Sequence, residues 1–173
     1  MGDSSKKKYI IIIAAVVLIV GGVLAVMYLK DGKMRAVKKY YSAMEKSDAQ
    51  ALKDACYPEE WQAAYDSYAV SLDEVATNAF TLQAGVTYDD ITYVTDYEVE
   101  SDYCKLMADG LKDLFSVDME ISSIRAISFD ITYTAEDGSS QDSGTITRYI
   151  YKYGSRWYYL SDPYMSVYLG LDG

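Results

Sequence analysis

Residues 127–161 read ISFDITYTAEDGSSQDSGTITRYIYKYGSRWYYLS. Ile127, Phe129, Ile131 and Tyr133 alternate with polar neighbours, the period-two pattern of a strand with one buried face. The loop Glu136-Asp137-Gly138-Ser139-Ser140 turns the chain into Thr145–Tyr153, and Gly154-Ser155 turns it again into Trp157–Ser161. Connections this short join antiparallel neighbours only, so the stretch predicts a three-stranded meander. One side of that meander must cover other elements, and the remaining chain supplies them.

Working outward, Val37, Tyr40, Tyr41 and Met44 recur at three- and four-residue steps, which predicts a helix over Met34–Lys46. Ser47-Asp48-Ala49-Gln50 has the form of a capping box with Ser47 as the cap. A short helix follows, with Ala51, Leu52 and Ala55 inward. Pro58 suits a first helical position, and Glu59 and Glu60 suit the positive end of a helix. Trp61, Tyr65, Tyr68, Leu72, Val75, Ala79 and Phe80 continue as a helical stripe. A second capping box at Ser71–Glu74 divides that stripe near Val70. After Gly85 the period becomes two: Ile91, Tyr93, Thr95, Tyr97 and Val99 predict another strand. Ser101–Phe115 returns to helix, with Tyr103, Met107, Leu111 and Leu114 on one face. Asp162-Pro163 closes the meander, and Tyr164–Leu171 is an apolar tail that packs back. The expected domain is α+β: about three helices packed on a curved antiparallel sheet of about four strands. Trp61 and Trp157 are expected to be largely buried, one on each layer.

Tyr9–Leu29 is an uncharged run bracketed by Lys8 and Lys30. At 1.5 Å per residue it would extend about 31 Å, the thickness of a hydrocarbon core, which predicts a transmembrane helix. No small-x-small cleavage site follows it, so it reads as a signal-anchor of a single-pass protein rather than a cleaved leader. The expected organisation is a cytoplasmic tail at 1–8, a transmembrane helix at 9–29, a juxtamembrane link at 30–33 and an extracytoplasmic domain at 34–173. Lys6–Lys8 argue for the N-terminus inside, whereas Lys30, Lys33, Arg35, Lys38 and Lys39 argue the other way on a bare count. The tail of eight residues and the folding of the chain from Met34 onward favour the first orientation.

Charge narrows function. From Asp31 onward the chain holds 12 of the 16 basic residues and 25 of the 26 acidic ones, a net charge of −13. No basic stripe lies beyond Lys39, so a nucleic-acid partner is not expected. The chain has no histidine, which removes Ser-His-Asp and Cys-His catalysis and His-ligated zinc. Its two cysteines, Cys56 and Cys104, are too few for a zinc cluster and too far apart for a CxxC pair. They could form a disulfide closing a loop of 49 residues, worth about 4 kcal/mol by chain entropy. The alternative is two buried thiols acting as small hydrophobes. Asp89-Asp90 lacks calcium-loop spacing and reads as the solvent side of a strand. Glu136–Asp142 likewise lacks the EF-hand order of acids and glycine. No catalytic residue, metal ligand or cofactor is implied.

Two stretches resemble a known superfamily. Residues 36–49, AVKKYYSAMEKSDA, are similar to the opening helix and small-Asp-Ala step of nuclear-transport-factor-two-like domains. Lys152-Tyr153-Gly154-Ser155-Arg156-Trp157-Tyr158 is similar to their closing hairpin, lysine-x-glycine-x-x-tryptophan. The likeness covers most of 34–161 and is greatest to membrane-anchored extracytoplasmic members common in Gram-positive bacteria. It implies a cone-shaped domain whose helices pack into a curved sheet. Enzymes on that fold use Asp, His or Tyr inside the cone, and no such motif transfers to a residue of this chain. The helix at Ser101–Phe115 is an elaboration on the pattern.

Tyr149, Tyr151 and Tyr153 share one strand face, and Trp157 and Tyr159 share a face of the next. Core packing accounts for at least half of these rings; the remainder could line a cavity for a small apolar ligand. Three functions follow for testing. The leading one is a non-enzymatic, membrane-anchored domain that binds a small apolar ligand or a protein partner. The second is an isomerase-like enzyme using a Tyr–carboxylate pair in the cone. The third is a structural subunit of a membrane complex. An enzyme requires a carboxylate in an accessible cavity beside a tyrosine, and a small-molecule binder requires an apolar cavity of about 300 Å3 or more. A scaffold requires an exposed apolar patch.

Overall fold

The computed structural model describes residues 32–65, 71–82 and 85–171. Lys33–Gly173 forms one compact unit. Its described elements are α1 (helical residues 32–46), α2 (Ala49–Cys56), α3 (Glu59–Tyr65), α4 (Leu72–Leu82), β1 (Thr87–Glu98), α5 (Asp102–Phe115), β2 (Ile121–Thr134), β3 (Ser140–Tyr153), β4 (Arg156–Tyr159) and α6 (Pro163–Leu169). The architecture is α+β. All three strand pairings are antiparallel, in the order β1-β2-β3-β4.

Local chemistry explains where the elements stop. Ser47 adopts φ +50° and ends α1, its amide bonding Met44 O at 3.2 Å. The cap of α2 is therefore Asp48, whose carboxylate accepts the Ala51 amide at 3.0 Å. This corrects the expected Ser47 cap: Gln50 points its amide at Asp54, 2.8 Å away, instead of back along the chain. The second expected cap does form, with Ser71 Oγ accepting from Glu74 N at 3.2 Å. At the closing hairpin Tyr153 pairs with Arg156 across Gly154-Ser155, and Gly154 has φ +56°. A two-residue turn with a glycine first matches the twist of the flanking strands.

β3 begins earlier than expected. Ser143 and Gly144 lie opposite the single residue Ile131, a bulge in which Ser143 Oγ donates to Ile131 O at 3.1 Å. The bulge carries pairing past the turn-like Ser-Gly step and back to Ser140.

The core is aromatic. Trp61 lies 6.0 Å from Tyr151 and 5.7 Å from Phe115, centroid to centroid, and all three rings are buried. Tyr158 and Tyr159 are consecutive on β4 and both buried. Successive strand residues point to opposite faces, so this end of the sheet is covered on both sides. On one, Tyr158 stacks on Tyr151, at 5.4 Å, which in turn meets Trp61 of α3. On the other, Tyr159 stacks on Tyr40 of α1 at 4.0 Å. Trp157 stays half-buried, with Lys33 Nζ 5.9 Å and Lys152 Nζ 6.0 Å from its ring.

Two parts of the expected architecture are corrected. About three helices become six among the described residues: the segments at Met34–Lys46, at Ala51–Ala55, on either side of Val70 and at Ser101–Phe115 each form a separate helix, and the apolar tail is α6, started by Asp162 as cap and Pro163 at its first turn. The second correction concerns the membrane: among the described residues no helix is long and apolar enough to cross one. The 15 described helical residues of α1 extend about 22 Å and the 14 of α5 about 21 Å, against roughly 30 Å for a hydrocarbon core. The transmembrane, single-pass and signal-anchor reading is withdrawn on that finding. The segment 9–29 on which it was placed, and the expected cytoplasmic tail at 1–8, lie outside the described residues.

Candidate functional site

Two regions bring tyrosines and carboxylates together. The first is inside. Asp162 is 1% exposed. Its Oδ1 accepts the Met165 amide at 2.8 Å, capping α6, while its Oδ2 accepts the hydroxyls of Tyr57, at 3.2 Å, and Tyr65. Burial pushes this carboxyl above its ordinary value, although Tyr65, the Met165 amide and Tyr57 each pull the other way. Next to it Cys56 Sγ lies 3.3 Å from Ser161 Oγ, and Tyr151 OH donates to Cys56 O at 2.6 Å. Burial pushes the Cys56 thiol up to about 12 against the Ser161 contact, so it stays protonated and is no nucleophile. Trp61 Nε1 is buried without a hydrogen-bond partner, an arrangement that costs about 1–3 kcal/mol.

This cluster is a clasp between α2, α3 and the start of α6. With three donors on one buried carboxylate, little acceptor capacity is left for a substrate proton. The adjoining hollow, lined by Tyr40, Tyr57, Ser161 and apolar residues of α2 and α4, measures only about 60 Å3.

The second region is outside. The corner between α2 and α3 and the β3–β4 hairpin enclose an open hollow of about 310 Å3. Asp54, Glu59 and Glu60 stand on its helical wall, and Tyr153, Arg156 and Tyr158 on its hairpin wall. Tyr153 OH donates to Glu60 Oε1 at 3.2 Å. The Arg156 guanidinium lies 5.3 Å from the Tyr158 ring. Another open hollow, about 370 Å3, is lined by Gln50, Lys53, Glu59, Gln62 and Asp73 among others. Both are polar.

The five rings singled out in the sequence divide between the two sheet faces. Tyr151 is wholly buried against Trp61, Tyr149 is half-buried, and Tyr153 lines the outer hollow. Trp157 and Tyr159 share the α1 side, where Tyr159 is core. Cys56 and Cys104 are free thiols, the first buried and the second half-buried. Asp89 and Asp90 are exposed on β1 and accept hydroxyls of Thr134 and Thr92, both at 2.7 Å. Among the described residues no group of three acidic or thiol side chains could hold a metal ion. Asp137 and Asp142 cap turns, accepting the amides of Ser139 and Gly144.

A further polar network, also not foreseen, ties α1 to the sheet. Asp96 accepts Lys33 Nζ and Arg125 Nε (2.8 Å) on Oδ2, and Tyr93 OH (3.0 Å) on Oδ1. Burial would raise its carboxyl, but the Lys33, Tyr93 and Arg125 hydrogen bonds outweigh it and hold the group below its ordinary value. Exposed apolar side chains gather elsewhere, at Leu106 of α5 and Tyr164, Val167 and Tyr168 of α6.

Sequence reasoning missed Asp162. Aspartate before proline is a helix-start signal, and reading Asp162-Pro163 only as the end of a meander concealed it. Tyr65 carried no signal beyond helical spacing, and Tyr57, just past the end of α2, carried none.

No family model, no curated protein and no solved structure matches the chain.

Proposed function

We propose that 33–173 is a non-enzymatic binding or interaction domain, of nuclear-transport-factor-two-like type, that engages its partner through its surface. One observation carries the reading: among the described residues, large side chains are buried between the helices and the sheet. Trp61, Tyr65, Tyr151, Phe129 and Met107 are fully buried, and the hollow lined by Tyr40, Tyr57 and residues of α2 and α4, about 60 Å3, is far smaller than the roughly 300 Å3 of a ligand cavity. Support for the family comes from helices packed against an antiparallel sheet and from the stretches 36–49 and 152–158, which form α1 with the cap of α2, and the closing hairpin.

The enzyme reading has one favourable observation, the Tyr57–Tyr65–Asp162 cluster. Its carboxylate is 1% exposed and already holds three donors, so it lacks the access that proton transfer demands.

Thermal unfolding of the full chain with small aromatics, lipids and cell-wall fragments tests the proposal. A core-binding compound at 100 times its dissociation constant would add about 2.7 kcal/mol. No saturable shift is expected from any small apolar compound. A saturable shift accompanied by quenching of Trp61 fluorescence would overturn the reading.

A further inference from the structure

The outer hollow has a chemistry of its own. It offers three carboxylates, Asp54, Glu59 and Glu60, and among the described residues no lysine or arginine forms an ion pair with them. Asp54 takes side-chain amides from Gln50 and Gln62, and Glu60 takes the Tyr153 hydroxyl. These are neutral donors, which leave the negative charge uncompensated. The opposite wall presents aromatic rings, whose faces attract cations. The chain itself uses that property: Arg156 stands over Tyr158, and among the described residues no carboxylate pairs with it. A bare metal ion fits poorly, because the carboxylates do not converge as a ligand set. An organic cation on a long apolar stem fits better, its stem lying on the rings and its head among the acids.

We infer that the hollow between the α2–α3 corner and the β3–β4 hairpin receives a lysine or arginine side chain from a basic segment of a protein partner, with Arg156 occupying part of the site in the free domain. The inference rests on the surface-binding reading above and specifies its ligand. The net charge of −13 from Asp31 onward would draw such a segment in, and a hollow of about 310 Å3 accommodates one long side chain with its flanking backbone. Compact lysine meets Glu59 and Glu60 as a point charge, and planar arginine adds stacking on Tyr153.

Arg156 distinguishes this site from a diffuse acidic field. Replacing it removes an internal competitor and frees the Tyr158 ring, so affinity should rise beyond what one lost positive charge contributes elsewhere.

The experiment is calorimetric titration of the full chain with a capped Lys-Gly-Lys-Gly-Lys peptide, its lysine-acetylated form and spermidine, at low and high salt. The unmodified peptide is expected to bind and the acetylated form is not. Glu59→Gln with Glu60→Gln should weaken binding about fivefold to tenfold, the worth of two exposed charge contacts. Tyr153→Leu should weaken it about threefold. Arg156→Gln should strengthen binding several-fold, whereas Lys46→Gln, an equal charge change on exposed α1 surface, should alter it by less than a factor of about two. Equal gains from Arg156→Gln and Lys46→Gln would reduce the site to the general field and overturn the inference. So would spermidine binding more tightly than the peptide, which would reassign the hollow to a free polyamine. Absence of peptide binding would overturn this inference alone; the surface-binding reading falls only if a core ligand emerges from the thermal test.

Discussion

The clasp at Asp162 and the hollow at Glu60 are built from the same bond, a tyrosine hydroxyl donated to a carboxylate. In the clasp Tyr57 and Tyr65 meet a carboxylate with 1% exposure. In the hollow Tyr153 meets Glu60 at 3.2 Å on the open surface. Burial decides what each bond does. Removed from water, a carboxylate needs every donor it can gather, and losing one strands the others. On the surface, water replaces a lost donor at little cost, and the carboxylate remains available to an incoming cation. The first pair ties the fold together; the second leaves its carboxylate within reach of water.

The contrast breaks most readily at Asp162. Asp162→Ala removes the α6 cap, worth about 1 kcal/mol, and strands two buried hydroxyls at about 1–3 kcal/mol each. The expected loss is about 3–7 kcal/mol, read as a fall in the urea midpoint at unchanged slope. A loss below about 1 kcal/mol would mean the clasp holds nothing.

Asp96 sharpens the comparison, since its side chain is 10% exposed and its cationic partners, Lys33 and Arg125, are 15% and 21% exposed. Asp96→Asn should cost about 1–2 kcal/mol near neutral pH, less than a fully buried charge pair would. Its folded carboxyl titrates below the ordinary value. The stability it contributes is therefore present above the unfolded value, close to 4, and lost as pH falls through the lowered one. The gap between the native chain and Asp96→Asn should close on acidification, measured by denaturant titration from neutral pH to about pH 2.

Asp162→Asn keeps an oxygen for the cap and should cost about 1 kcal/mol at acidic pH. The sign of its pH dependence is opposite to that of Asp96. The folded carboxyl titrates above its ordinary value, so the folded state holds the proton more tightly than the unfolded state. That contribution is complete below the unfolded value and is lost as pH rises through the folded one. The native chain's advantage over Asp162→Asn should shrink with rising pH, and a widening gap would show the buried carboxylate to be preferred as the charged form.

The smallest effect belongs to the hollow. Tyr153→Phe and Glu60→Gln should each move stability by no more than about 0.5 kcal/mol, the ordinary range for surface substitutions. A loss of 2 kcal/mol or more from either, an order-of-magnitude mark for a buried bond, would make the hollow a second clasp and erase the distinction.

Much of the element order was legible in the sequence because it rests on local chemistry. Period-two alternation marked the strand at Ile127–Tyr133, and Gly154-Ser155 marked the closing turn. Ser71 marked the start of α4 through a serine oxygen that reaches only three residues along the chain. The failures are physical too. Ser47 and Asp48 are both good caps, and only the turn ending α1 gave the role to Asp48. A strand period predicts alternation but not how many faces are covered, and so left open that Tyr158 and Tyr159 would both be buried.

The sequence by itself determined the charge, the absence of histidine chemistry, and the helical and extended segments, since each depends on residue type or on neighbours a few positions apart. The tertiary structure alone decided which tyrosine–carboxylate pairs exist and what surrounds them. Tyr65 and Asp162 are 97 residues apart, and Glu60 and Tyr153 are 93 apart. Nothing along the chain distinguishes the two separations. The packing of α3 and α6 places one pair beyond the reach of water, while the end of the hairpin leaves the other in it.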